Sequence, residues 1–501
     1  MEKEQITSID NNVKLLLAPH ERPKSFLQWS ILSLQHVFAM FGSTVLVPLI
    51  INQTAGVEVM NISMALFCSG VGTLIYIAIT AAKVPMYLGS SFAYMGAMGV
   101  CYPLYGNAIF IAVMMVGVIY ITFGVLVYFI GNKFLERLLP AVIVGPLIII
   151  IGMSVAPSAI NNAGFNPTAW KESYSHWIGI GIAVFTFLVT AIISLKCKGF
   201  AKVVPVIIGV VMGYLLCVIL HFAIGTQYHI LDTSKISDPS QWQWYPSFKK
   251  IWDLKANNIG PAILAISPLA IIAIAEHIGD HISMGQMTGK NFVKDPGMHR
   301  TLVADGVSII FDGLIGGPAN TTYGENASVV GMTRIASVWV TGLAALFAIV
   351  LSFIAPVNQL VQMLPGPVMG GISMIMFGLI ATNGIRVLIN NRIDYTNMKN
   401  VFVTAIMLVL GLGGAIFNFN IGSGNLQFTG VALAAFVGIF LNLLLPDHQN
   451  NGFLWWEKIK LIIKKKKEQR SIKIKQKNKQ KEKITQDQKA NKNKKFDKEK
   501  E

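Results

Sequence analysis

VPMYLGSSFAYMG (residues 84–96) runs from Pro85 through Gly89, Ser90 and Ser91, and only then becomes a short apolar run. GPANTTYGENASVVG (317–331) likewise runs from a proline through small hydroxyl residues and a glycine into a short apolar stretch. Each reads as a few residues of extended chain followed by a half-length helix. Irregular backbone survives in a bilayer only where it is buried in protein or lines a cavity, so such a pair marks the interior of a membrane protein. A second pair, LPAVIVGPLI (139–148) and LPGPVMGGIS (364–373), opens two further segments with Leu-Pro, and both pairs are separated by about 225 to 235 residues. The chain therefore reads as two related halves.

The surrounding sequence gives those halves their setting. Of 501 residues, 53% are hydrophobic and 13% charged, with mean hydropathy +0.56. A soluble chain carries about 25% charged residues, so that class is excluded. Apolar windows long enough to enter a bilayer fall at approximately 28–50, 60–81, 85–102, 107–130, 138–157, 175–195, 202–224, 258–282, 301–316, 319–333, 336–356, 366–389, 399–418 and 427–446. Fourteen windows in two halves put seven in each. Seven is odd, so the second half enters the membrane inverted relative to the first, as in secondary transporters. The expected fold is an all-α polytopic membrane protein with fourteen transmembrane segments in a 7+7 inverted repeat. Short strands and half-helices are expected in segments 3 and 10.

The net charge of +16 is mostly a property of the tail: residues 457–501 hold 19 Lys or Arg against 7 acidic residues. That run reads as a solvated cytoplasmic tail that can rest on anionic lipid. It has no aromatic or Gly-rich pattern of the kind that binds nucleic acid. Inner loops and their flanking span ends carry thirteen Lys or Arg against five outside, which directs both termini to the cytoplasm of a multi-pass plasma-membrane protein. The N-terminus is polar and charged, without the apolar core of a cleavable signal. Cys68, Cys101, Cys197 and Cys217 have no metal-ligand spacing and read as ordinary small side chains.

Against this apolar background AEHIGDH (275–281) stands out. Glu276 and Asp280 are four residues apart and share one helix face, while His277 and His281 repeat that spacing on the adjacent stripe. A carboxylate at the bilayer centre costs about 2.5–3.5 kcal/mol on insertion scales, so such groups are expected to face a polar cavity. Glu325, in the second half-helix segment, is a third acidic group at that depth. The half-helix N-termini near Ser90, Ser91 and Phe92, and near Tyr323, Gly324 and Glu325, present free N–H groups suited to carbonyl oxygens or anions. Gly324 permits close backbone approach.

Plainer readings stand beside these. His277 and His281 are satisfied by backbone or water near the cytoplasmic end of their span, Asp280 braces a neighbouring helix, and Asp305 and Asp312 hydrogen-bond local loops. His36, within LSLQHVFAMFG, is either a satisfied interior histidine or part of a proton path. The string from His277 to His281 also matches a zinc-protease pattern with Asp in place of Glu, but no third ligand accompanies it. No cofactor or metal is expected.

LSLQHVFAMFGSTVLVPL, YLGSSFA, AEHIGDH and GGPANTTYGENASVVGMT together resemble the nucleobase–ascorbate transporter family, also called nucleobase:cation symporter-2, and within it the bacterial uracil permeases. The resemblance covers roughly residues 25–445. It implies proton-coupled uracil uptake by alternating access, the alternative within the family being a purine (xanthine or urate) symporter. The implied organisation is a cytoplasmic N-terminal segment (1–26), a core domain (27–131 and 258–357), a gate domain (132–225 and 358–447), an extracellular segment (226–257) and a cytoplasmic tail (448–501). Carried over by motif, Glu276 and Glu325 accept the ring N–H groups of uracil and backbone N–H groups at Phe92 and Gly324 donate to its carbonyls. Phe92 and Tyr323 pack beside the ring, and Ser43 lies next to the site. Glu276, Asp280 and Glu325, with His281 and His36, are the implied proton-coupling groups, because mutually close carboxylates resist full ionisation. A homodimer through the gate domain is also implied.

Two positions depart from the uracil-permease pattern. Asp280 stands where His is usual, with His281 one step later, and Ser43 replaces a common Ala. Asp at position 280 also occurs among purine-transporting relatives, whereas the Tyr323-Gly324-Glu325-Asn326 string favours uracil. An anion carrier of the same architecture is the remaining reading, and a carboxylate at a half-helix N-terminus argues against it.

Overall fold

The structure, a computed structural model, describes residues 14–131, 140–170, 172–198, 201, 204–224, 230–231, 244–248, 256–421, 424–428 and 430–445. The first thirteen residues, most of the expected outer segment 226–257 and the basic tail 448–501 lie outside the described residues.

Helix α1 (Phe26–Ala55) starts where the Ser25 hydroxyl accepts the Gln28 N–H at 3.2 Å, and it ends at Gly56 with φ 70°. Helix α2 (Ile62–Ile79) begins in the same way, on Asn61. Then follow β1 (Leu88–Ser90), α3 (Phe92–Tyr105), α4 (Ala108–Ile130), α5 (Ala141–Ser154), α6 (Ala156–Asn162), α7 (His176–Lys196) and α8 (Pro205–Ile224). After these come α9 (Ala256–Ile266), α10 (Ala270–Thr288), α11 (Met298–Ile315), β2 (Asn320–Thr322), α12 (Gly324–Thr333), α13 (Val338–Ser352), α14 (Ala355–Gln362) and α15 (Gly366–Asn390). The last elements are α16 (Met398–Leu412), β3 (Phe417–Ile421), β4 (Gly424–Phe428) and α17 (Gly430–Leu444).

Every apolar window thus contains a helix, and among the described residues eight helical stretches are long and apolar enough to cross a membrane. Windows 3 and 10 each hold a three-residue strand followed by a short helix, α3 and α12. Three features differ from the sequence expectation. The eighth window closes at residue 282, but α10 continues to Thr288 because Ser283 and Gln286 are polar yet compatible with a helix. The segment between windows 13 and 14 forms an antiparallel hairpin, β3 with β4. Residues 16–19 pair with the extended stretch after α12, through Leu16 N–H to Arg334 O (2.8 Å), Ala336 N–H to Leu17 O (2.9 Å) and Val338 N–H to Pro19 O (2.9 Å). Among the described residues, 394–401 and 440–445 fall in a separate small unit, in which Asp394 accepts from both the N–H and the hydroxyl of Thr396.

Small residues set the helix crossings. A Cβ on Gly117 of α4 would lie 2.5 Å from the carbonyl oxygen of Gly306 on α11, and one on Gly306 would lie 2.7 Å from that of Gly117. Gly70 of α2 is held equally tightly against Ala345 of α13, and Gly145 of α5 against Gly384 of α15. Lipid offers no hydrophobic drive for helices to associate, so close van der Waals approach of backbones does much of that work.

Candidate functional site

The two short strands cross antiparallel, with Leu88 opposite Thr322, Gly89 opposite Thr321 and Ser90 opposite Asn320. The pairing continues one step at each end, from Ser91 N–H to Ala319 O (2.8 Å) and from Tyr323 N–H to Tyr87 O (2.9 Å). All six strand residues are buried, so these bonds satisfy backbone groups that water cannot reach. Neighbouring side chains complete the bracing. Ser69 donates to Leu88 O (2.7 Å), Thr73 accepts the Leu88 N–H (2.9 Å), and Asp312 accepts both the backbone and side-chain N–H of Asn320 (3.2 Å each). The crossing aims the first turns of α3 and α12, beginning at Phe92 and Gly324, into one region.

Three carboxylates converge there. Asp280 Oδ2 accepts from the Thr322 hydroxyl at 2.7 Å, and Glu325 Oε1 accepts from the Ser43 hydroxyl at 3.0 Å. Asp280 Oδ1 also lies 3.5 Å from where a Gly324 Cβ would stand, with nothing else near that point. Glu276 is one turn from Asp280 on the same face of α10, and among the described residues nothing donates a hydrogen bond to its carboxylate. Glu276, Asp280, Glu325, Phe92 and Gly324 are all half-buried, whereas Ser43 is buried. Accessible surface continues from the carboxylates along α10 through Gly279, Ile282, Ser283 and Gln286, and along α12 through Ser328 and Met332.

The other sequence candidates are placed differently. Both nitrogens of His281 are engaged away from the carboxylates: Nδ1 donates to the His277 carbonyl (2.6 Å) and Nε2 accepts from the Tyr76 hydroxyl (2.5 Å). His277 reaches Asp305 Oδ2 with Nδ1 (2.8 Å) and Thr301 with Nε2 (3.0 Å). His36 is buried, and its Nδ1 and carbonyl both accept from the side-chain amide of Asn326, at 3.2 and 3.0 Å, the residue next to Glu325. Tyr323 is turned into the strand crossing. Its ring lies over Gly89, where a Cβ would stand 2.4 Å from the ring, and its hydroxyl donates to Ser90 O (2.9 Å) and accepts from Thr44 (3.2 Å). Of the two aromatic candidates, Phe92 keeps accessible surface. Asp305 and Asp312 do hydrogen-bond, but to a neighbouring helix and a strand rather than only to local loops. Among the described residues no cluster of three His, Cys, Asp or Glu could hold a metal ion.

Sequence reasoning passed over Thr322 and Thr44, and took Asn326 only as part of the string that favours uracil. Thr322 and Asn326 lie inside the quoted 317–331 stretch and Thr44 directly follows Ser43, so the motif signal covered them. Their hydrogen bonds run between segments some 40 to 290 positions apart, which no local pattern carries.

A sequence profile described as "Permease family" matches residues 27–418. The chain is 38% identical over 443 residues to the uracil permease of Bacillus subtilis (strain 168), covering 87% of this chain and 96% of that protein. It is 38% identical over 427 residues to the uracil permease of Escherichia coli (strain K12), covering 85% and 92%. Among solved structures it is similar in fold to the transmembrane domain of a cyanobacterium bicarbonate transporter, BicA, with TM-score 0.55 at 15% identity, covering 84% of this chain and 99% of that one. SLC26A9 gives TM-score 0.55 at 10% identity, covering 84% and 66%.

Proposed function

The chain belongs to the nucleobase:cation symporter-2 permease family, and we propose that it carries uracil into the cell together with protons by alternating access. It is a multi-pass membrane transporter, not an enzyme. The observation that carries the substrate reading is the Glu276 carboxylate, half-buried, without a donor among the described residues, and facing the site shared with Glu325 and Gly324. Uracil is a flat ring with two N–H donors and two carbonyl acceptors. Glu276 and Glu325 suit the donors, backbone N–H groups at Phe92 and Gly324 suit the carbonyls, and the Phe92 ring suits the plane. The relatives that carry the name uracil permease support this choice of substrate.

Ser43 orients Glu325 in this scheme. Ser43→Ala is expected to weaken uracil binding about fivefold, the effect of one hydrogen bond, with little change in melting temperature. Equilibrium binding in detergent measures it, and unchanged affinity would remove Ser43 from the site.

The helix crossings support a 7+7 inverted repeat of fourteen spans. The packing of α4 on α11 has its counterpart, with the halves exchanged, in the packing of α13 on α2, and the β1–β2 crossing joins equivalent segments. A core built on α1–α4 and α9–α13 moves against a gate that includes α5, α7, α8 and α15, while the accessible faces of α10 and α12 lead toward Lys290 and Arg334 on the inner side. Both termini are cytoplasmic, and the gate domain pairs two copies.

Glu276, Asp280 and Glu325 hold the coupled proton between them, since close carboxylates resist full ionisation. His281 and His36 act only by relaying to that group, as both nitrogens of His281 and Nδ1 of His36 already have partners. The structural neighbours include a bicarbonate transporter, yet Glu325 in the first turn of α12 would repel an anion held there. A purine reading is favoured by one feature, Asp280 inside the site.

Radiolabelled uracil uptake into proteoliposomes under an inward proton gradient tests the proposal. Uptake that collapses with a protonophore and resists excess xanthine is the expected result, whereas gradient-driven xanthine uptake without uracil uptake would assign the purine branch. In the same vesicles Glu325→Gln is expected to flatten the pH dependence, and full retention of that dependence would take Glu325 out of the coupling.

A further inference from the structure

At the outer end of α1, Gln53 is joined to the segment that follows α5. The side-chain amide of Asn162 donates to Gln53 Oε1 at 3.0 Å, the Gln53 amide donates back to Asn162 Oδ1, and the Ser158 hydroxyl donates to Gln53 Oε1 at 3.3 Å. A reciprocal amide pair fixes both distance and orientation, because each side chain supplies one donor and one acceptor. Its two halves belong to different packing groups. Next to Gln53, Thr54 lies against Gly99 of α3, whereas α6 packs on α15, where a Gly370 Cβ would meet Ala163 N at 2.4 Å.

We propose that Gln53, Ser158 and Asn162 form an outer latch that holds the substrate site closed to the outside and must open for uracil to enter. The inference rests on the two-domain, alternating-access reading above. On the opposite side, the surface leading from the carboxylates along α10 and α12 is accessible, through Gly279, Gln286 and Ser328. A contact made across two moving bodies on the closed side stabilises that state selectively. Its loss therefore shifts the balance toward the outward-facing state. Substrate arriving from outside then meets a larger competent fraction, and its apparent affinity rises in proportion.

The test is a double-mutant cycle read as KM for external uracil in proteoliposomes of fixed orientation. Gln53→Ala and Asn162→Ala are each expected to lower KM by roughly three- to tenfold, the effect of losing the paired hydrogen bonds. The double variant is expected to go no further than Gln53→Ala alone, because that change already removes the bonds from both Asn162 and Ser158. Exchanging the partners, Gln53→Asn with Asn162→Gln, should return KM to the native value. Unchanged KM in the single variants, or additive effects, would overturn the latch. A second measurement covers variants that fold poorly: in a background lacking Cys68, Cys101, Cys197 and Cys217, Gln53→Cys and Asn162→Cys are joined by a short bifunctional thiosulfonate. Uptake should stop and return on reduction, and undiminished uptake by the joined protein would equally reject the latch. A native protein that transports no uracil would instead refute the substrate reading, and the same cycle would then be read with whichever base is carried.

Discussion

Glu276→Gln is expected to bind uracil roughly 10- to 100-fold more weakly than the native protein while being made and inserted in normal amount. A hydrogen bond to a charged acceptor is worth about 1.5–3 kcal/mol, which converts to that range. The usual complication of such a substitution is absent here. Among the described residues no protein group donates to the Glu276 carboxylate, so replacing it strands no donor. The glutamine keeps the shape and one acceptor oxygen, but it also brings an N–H₂ that meets the ring N–H groups unfavourably. Equilibrium binding in detergent, beside a melting curve, separates the two effects. Native affinity in a correctly folded variant would place the substrate elsewhere, and the best remaining acceptors are then Asp280 and Glu325.

Asp280 contrasts with Glu276 although both lie on one face of α10. The Thr322 hydroxyl already occupies Asp280 Oδ2, which leaves Oδ1 toward Gly324. This arrangement joins α10 to the strand crossing and gives Asp280 a bracing role as well as a place in the site. The sequence reading has Asp280 brace a neighbouring helix, whereas the partner it finds is a strand residue.

How much was legible depended on whether the determining interaction was local. The strand and half-helix of each central segment are punctuated by Pro, Gly and Ser or Thr within a few residues, and β1, α3, β2 and α12 follow that punctuation. The shared face of Glu276 and Asp280 follows from helix period alone. The destination of a side chain is another matter. His277 and His281 sit on the adjacent stripe as expected, but their partners Asp305, Thr301 and Tyr76 lie on other helices, so no spacing could identify them. The resemblance puts Tyr323 beside the substrate ring, whereas its hydroxyl is tied to Ser90 and Thr44 and its ring covers Gly89. The pairing of residues 16–19 with the stretch after α12 had no sequence signal either. A short mixed segment before the first apolar window carries no periodicity, and its bonds go to residues more than three hundred positions away.

Gly306→Leu is expected to lower the thermal stability of the detergent-solubilised protein more than any substitution within the site. Gly306 and Gly117 face each other where α11 crosses α4, and a Cβ on Gly306 would stand 2.7 Å from Gly117 O, 2.8 Å from Ile121 Cγ1 and 3.0 Å from Tyr120 Cβ. Two of those neighbours are fixed close to the backbone and cannot turn aside, so the helices themselves must separate. Overpacking of a core commonly costs about 1–3 kcal/mol, and a clash with backbone belongs at or above the upper end. The effect should extend to transport, because α11 also carries Asp305 and Asp312, and Asp312 holds Asn320 in the strand crossing. Gly378→Ala is the control: nothing lies within 4 Å of its Cβ position on α15, and a change within about 0.5 kcal/mol is expected. Melting monitored by size-exclusion chromatography after graded heating compares the two. Equal melting temperatures for both variants would mean that α4 and α11 do not approach closely at Gly306, and the bracing of the strand crossing through Asp312 would have to come from another contact.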